Sequence, residues 1–123
     1  MRWLLIPCLV LAAPASAQDW NLRPDDTPFD ATGLAAAVTG LELVFFDDGR
    51  SRFSAGGSYS YTYSALNGGG SQFGTWDARE GSVICIAYRN GFDRCDMYVQ
   101  DGARIVVLTA DGGRFPVREV QRP

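Results

Sequence analysis

Residues 82–99 read SVICIAYRNGFDRCDMYV, two apolar runs joined by Arg89-Asn90-Gly91 and carrying one cysteine each, Cys85 and Cys95. Short runs rich in β-branched and aromatic residues on either side of a Gly-containing turn predict an antiparallel hairpin. The cysteines decide its register. A two-residue Asn90-Gly91 turn sets Cys85 opposite Asp96, whereas a three-residue loop, Arg89-Asn90-Gly91, sets it opposite Cys95. That longer loop is a type I turn closed by a left-handed residue in a G1 bulge, and the left-handed position falls on Gly91. With Tyr88 and Phe92 as the hydrogen-bonded closing pair, alternation makes 85/95 a non-hydrogen-bonded pair. The Cα atoms of such a pair lie about 4.5 Å apart, within reach of a disulfide. Cys85 and Cys95 are therefore expected to be a structural staple. Two thiolates with no histidine or third cysteine make a poor zinc site, and a redox pair normally has C-x-x-C spacing.

The same punctuation recurs across the chain. Glycine-containing turns stand at 47–49, 55–57, 66–70, 79–81, 89–91, 100–102 and 110–113. Between them lie runs of Val, Ile, Phe, Tyr and Thr, so strands are expected at 41–46, 51–54, 58–64, 72–77, 82–88, 93–99, 103–109 and 114–120. No connection is long enough for a parallel crossover helix, which makes an antiparallel meander the simplest topology. Seven to eight meandering strands avoid exposed edges by closing into a small barrel, and a two-sheet sandwich is the alternative. The recurring D-G-x-R (Asp101, Gly102, Arg104; Asp111, Gly112, Arg114) is explained by hairpin chemistry rather than by a repeat.

N-terminal to the strands the pattern differs. MRWLLIPCLVLAAPASA (1–17) has a positive charge at Arg2, an apolar run and a small-residue ending at Ala17, the order of a secretory signal peptide. Cleavage is expected between Ala17 and Gln18, which removes Cys8; the apolar run is about half the ~20 residues of a membrane span. Residues 18–28 then form an extended arm with Trp20 and Leu22 as docking points, and 29–123 form one β domain. Thr27, Pro28 and Asp30 resemble a capping box with proline at the first helical position, followed by a short helix near 29–38. Its buried stripe is Phe29, Leu34 and Val38.

Composition narrows the chemistry. Removing Arg2 takes the net charge from −3 to −4, and the chain has neither lysine nor histidine. An acidic domain without a basic run is a poor partner for nucleic acid or anionic membrane. Without histidine there is no Ser–His–Asp or Cys–His catalysis and no common zinc ligand. Without lysine there is no P-loop or Schiff-base chemistry. No cofactor and no metal are expected.

The strand SYSYTYS (58–64) sets Tyr59, Tyr61 and Tyr63 on one face, either a binding platform for a flat ligand or a core face. Trp76 shares a face with Gly74, where a large ring packs over glycine, as core anchor or ligand contact. Carboxylates pair at Asp47/Asp48, Asp77/Glu80 and Asp93/Asp96, but all lie at or near turns, where Asp bonds the local backbone. Glu42, within LELVFF, is expected to face solvent beside an arginine such as Arg118.

The order helix, GLELVFFDDG, YSYTY, GTW, VIC…CDMYV, DG resembles a group of small exported bacterial β-proteins in which a G-[TS]-W strand precedes a cysteine-bearing one. Gly74-Thr75-Trp76 is also similar to the G-x-W motif of calycin barrels, though here it lies mid-chain. Neither resemblance implies a catalytic residue. The expected function is a non-enzymatic periplasmic or secreted binding module, with Tyr59, Tyr61, Tyr63 and Trp76 as candidate ligand contacts. Its partner would be a small ligand, an envelope polymer or a protein, with no stable membrane insertion after signal cleavage. The alternative is a carboxylate-dependent hydrolase acting on an envelope polymer.

Overall fold

A computed structural model describes residues 20–123. The expected signal peptide, with Cys8 and the Ala17–Gln18 junction, lies outside the described residues. The elements are β1 (Asp26–Pro28), α1 (Ala31–Val38), β2 (Leu41–Phe45), β3 (Arg50–Phe53), β4 (Ser58–Thr62), β5 (Ser71–Arg79), β6 (Val83–Tyr88), β7 (Asp93–Asp101), β8 (Arg104–Leu108) and β9 (Arg114–Gln121). Strands β2 to β9 follow one another as an antiparallel meander, and β9 returns to pair with β2. The sheet thus closes into an eight-stranded barrel, with β1 added against β7. Closure leaves no second sheet, which sets the sandwich aside, and it removes the exposed edges that a meander of this length would otherwise carry.

The 82–99 hairpin has the register its cysteines require. Cys85 opposes Cys95, the two are joined in a disulfide, and their Cα atoms are 4.1 Å apart. Tyr88 N–H donates to the Phe92 carbonyl at 2.9 Å, Gly91 has φ 87°, and Asn90 Oδ1 accepts from Phe92 N–H at 3.0 Å. A bulge between Val44 and Phe45 leaves Arg118 without a ladder partner in β9, and its guanidinium reaches Asp48 in the β2–β3 turn at 2.8 Å. Glu42 lies opposite Gln121 in that ladder and pairs not with Arg118 but with Arg50, at 3.1 Å.

Alternation sorts the barrel residues into two sets. Leu43, Phe53, Tyr59, Ile84, Ile86 and Val107 point inward and form the main core. Helix α1 stops one end of the lumen, and its Leu34 and Val38 are wholly buried there, with Phe29 half-buried beside them. The helix begins two residues later than its sequence suggests, and its cap is Asp30, whose carboxylate accepts from Gly33 N–H at 2.6 Å. Thr27 and Pro28 cannot cap it because they are paired with Gln100 and Val99 in β1. Phe29 stays outside the helix because its N–H is already committed to Ser82 Oγ, at 2.8 Å.

Ser82 is wholly buried, and its hydroxyl also donates to the Tyr98 carbonyl. One side chain thus ties the segment entering α1 to the closed end of the barrel. Ser82→Ala leaves the Phe29 N–H and one lone pair of the Tyr98 carbonyl without that partner, so it is expected to cost about 1–3 kcal/mol in urea denaturation.

The N-terminal arm crosses the outside of β7 and β8, where Met97, Val99, Val106 and Leu108 form a second cluster with Trp20 packed on it. Leu22 remains 48% exposed, so of the two expected docking points only Trp20 docks. The arm is held by Arg114, which bonds Asp26 at 2.6 and 3.0 Å and donates to the Asn21 carbonyl at 2.7 Å. The guanidinium holds the Asp26 carboxyl below its ordinary range, outweighing the opposing effect of burial. A carboxyl depressed on folding contributes stability that is present above its unfolded value of about 3.9 and is lost as pH falls through the folded value. Urea denaturation should therefore show an acid-dependent loss below about pH 4 that Asp26→Asn diminishes. At neutral pH the same substitution removes the charge partner of Arg114 and is expected to cost about 1–3 kcal/mol.

Candidate functional site

The end of the barrel opposite α1 is open, and the tyrosines of β4 run toward it. Exposure rises along the strand, from Tyr59 at 4%, through half-buried Tyr61, to Tyr63 at 43%. The three share a face as alternation requires, but only Tyr59 belongs to the packed core. The core-face alternative holds for Tyr59 and not for Tyr63, which lies just beyond the end of β4 at Thr62, at the rim. There Ser64 caps the one-turn 3-10 helix Ala65–Asn67.

Gly74 explains how the deepest rings fit. It opposes Tyr59 on β4 and Tyr88 on β6, and a Cβ there would lie 2.2 Å from the Ala87 carbonyl oxygen. The bare backbone lets β5 approach the β6 backbone closely, and the Tyr59 and Tyr88 rings that flank it meet edge-on, centroids 5.9 Å apart. Tyr59 also shares a hydrogen bond with Ser51 Oγ at 2.9 Å. Nearer the mouth the Tyr61 hydroxyl lies against Gly49, where a Cβ would come within 2.2 Å of it. Tyr63 meets the Tyr61 ring edge-on at 4.9 Å, and Phe92 lies 6.2 Å from Tyr88.

On β7 the lumen face carries Arg94, Asp96 and Tyr98. Arg94 grips Asp96 through both Nε and Nη2, at 2.8 and 3.0 Å. Asp96 is 6% exposed and Tyr98 2%. Burial pushes the Tyr59, Tyr61, Tyr88 and Tyr98 hydroxyls above the ordinary phenol range. They therefore stay protonated at neutral pH and act as neutral donors and acceptors. These groups surround an open cavity of about 1160 Å³ with Phe45 and Phe115 on its far wall.

Of the expected site residues, Tyr59, Tyr61 and Tyr63 line this cavity and Trp76 does not. Trp76 packs edge-on against Phe53 at 5.3 Å and donates from Nε1 to the Ser54 carbonyl at 3.0 Å, which makes it a core anchor. The ring-over-glycine contact anticipated for Trp76 is made by Tyr59 and Tyr88. Sequence reading missed Tyr88, Phe92 and Arg94. The signal was present, since a disulfide on the outer face of β6 and β7 forces Arg94 and Asp96 onto the inner one.

The paired carboxylates are split: Asp47 and Asp96 line the cavity with Asp93 at its edge, while Asp48, Asp77 and Glu80 do not line it. Asp48 bonds Arg118 and Asp77 bonds Arg79 on the outside of the barrel, while both oxygens of Asp96 are taken by Arg94. Among the described residues no group of His, Cys, Asp and Glu is placed to hold a metal ion, and no helix is long and apolar enough to cross a membrane. A disulfide-stapled barrel of this kind fits an oxidising, extracellular setting. The chain matches no protein-family model, no curated protein and no solved structure.

Proposed function

We propose that the protein is a non-enzymatic binding module, periplasmic or secreted, that takes a small molecule into the open end of its barrel. One observation carries this reading: α1 closes one end of the lumen, while the other end is open and lined by aromatic rings. A core built only for stability closes on itself at native density. Here the rings of Tyr61, Tyr63 and Phe92 stand in a cavity of about 1160 Å³, and an eight-stranded barrel is wide enough to hold one small ligand. Tyrosines suit this work because each offers a flat apolar face and a polar tip. The signal-like order of residues 1–17 and the disulfide support export, and the intact mass of the exported protein tests it. A mass starting at Gln18 agrees, while a retained Met1 or a lipid on Cys8 contradicts it.

A carboxylate hydrolase has less support: it needs two carboxylates free to act in one cleft, and of those along the mouth Asp96 is bound by Arg94 through both oxygens and Asp47 is bonded within its own turn. Binding is tested with a neutral, apolar N-phenylnaphthylamine fluorophore. Saturable enhancement at one probe per chain is expected. Tyr61→Ala should weaken it about tenfold or more, by removing stacking and edge contacts of order 1.4 kcal/mol, while cooperative unfolding is retained. Unsaturable binding, or a folded Tyr61→Ala protein that binds normally, contradicts the reading.

A further inference from the structure

We infer that the ligand of the barrel mouth is a small organic cation with an apolar body, such as an alkyl or aryl ammonium. The inference rests on the binding reading above and adds the charge of the occupant. The cavity is lined by Asp47, Asp96 and Asp111 and by a single cationic side chain, Arg94, with Asp93 at its edge on the outer face of β7. That guanidinium is paired with Asp96 through two hydrogen bonds, so the mouth lining holds no unpaired positive charge. It presents a net negative field around rings whose faces are themselves electron-rich. A cation over the face of Tyr or Phe is attracted by the ring quadrupole, and more strongly where water is partly excluded.

The placement of the carboxylates strengthens the case. Asp47 and Asp111 come from the β2–β3 and β8–β9 turns, which stand over the open end, and each is fixed by its own turn. Asp47 Oδ1 accepts from Gly49 N–H at 2.8 Å; Asp111 accepts from the Thr109 hydroxyl and from Gly113 N–H. The Thr109 hydroxyl holds the Asp111 carboxyl below its ordinary range, so this charge persists through neutral pH. Asp47 lies close enough to Tyr61 to contribute to the upward shift of its hydroxyl, which joins the acidic rim electrostatically to the aromatic wall. The other large cavity, about 1010 Å³ beside β8 and β9, has the opposite balance, with Arg23, Arg104, Arg114 and Arg118 against Asp101 and Glu119 on its walls.

Three probes with the same apolar chain separate charge from hydrophobicity: decyltrimethylammonium, decanol and decanoate, each titrated calorimetrically into the purified protein below micelle-forming concentration. The ammonium is expected to bind about tenfold or more tightly than the alcohol, with the carboxylate weakest. Because the rim charges are exposed, this preference should shrink at high salt. Asp111→Asn, which keeps a side-chain oxygen for the turn, should reduce the ammonium-to-alcohol ratio several-fold. If the alcohol binds as tightly as the ammonium, the cation inference falls and the barrel-mouth reading survives. Tightest binding by decanoate overturns the inference by showing that Arg94 is free to accept an anion. If none of the three binds, both readings fall.

Discussion

Phe53→Ala is expected to destabilise the protein by about 3–5 kcal/mol, the range for deleting a large aromatic from a packed core. Phe53 is wholly buried and is the hub of the interior. Its ring meets Tyr59 at 5.2 Å, Trp76 at 5.3 Å and Tyr98 at 6.2 Å. It also opposes Leu41 on β2 and Tyr59 on β4, so it touches the packing of three consecutive strands. The cavity left by truncation cannot be filled from α1, because Leu34 and Val38 are already wholly buried. Urea denaturation with an unchanged slope is the measurement. A loss below about 1 kcal/mol would mean that the barrel interior collapses around the gap, and the packed end of the lumen is softer than its geometry implies.

The second large effect is expected from the disulfide. Replacing Cys85 and Cys95 together by alanine frees a short loop in the unfolded chain and should cost about 3 kcal/mol by the chain-entropy account. Against a total of about 5–15 kcal/mol for a domain of this size, that is a large fraction. The effect should act chiefly through the unfolded state, so the folded variant keeps its hairpin. Gly91→Val tests the loop independently, since φ 87° at that position is available to glycine and strained for a β-branched residue. A Gly91→Val protein as stable as the parent would contradict the G1-bulge geometry.

How much of this was legible beforehand depended on the kind of interaction involved. The meander and the 85/95 register followed from turn residues and period-two alternation, which are local. Closure followed from the need to hide strand edges, a global but generic demand. The start of α1 was misplaced because Ser82, more than fifty residues away in the chain, competes for the Phe29 N–H. Likewise Arg118, expected beside Glu42, lies at the Val44/Phe45 bulge and bonds Asp48 instead. Bulges and long-range side-chain bonds leave little trace in a linear pattern.

At the mouth the legible part was the tyrosine face, because alternation within one strand displays it. The balance between packed and open tyrosines was not legible, since it depends on where α1 stops the lumen and where β4 meets the rim. The partnership of Tyr59, Gly74 and Tyr88 spans three strands and required their relative stagger. Asp47 and Asp111 read as turn residues, and they are; that they also flank an aromatic cavity is a consequence of four hairpin turns converging on one end of a closed barrel.

The central claim is that the open end of the lumen receives a ligand. Its most direct test is the position of bound decyltrimethylammonium, from nuclear Overhauser contacts between its chain or methyl protons and assigned aromatic protons of the protein. Contacts to Tyr61, Tyr88 and Phe92, with none to Phe73 on the outer surface, are the predicted result. Contacts confined to Phe73 or to the outer groove between β8 and β9, with the mouth tyrosines silent, would contradict it.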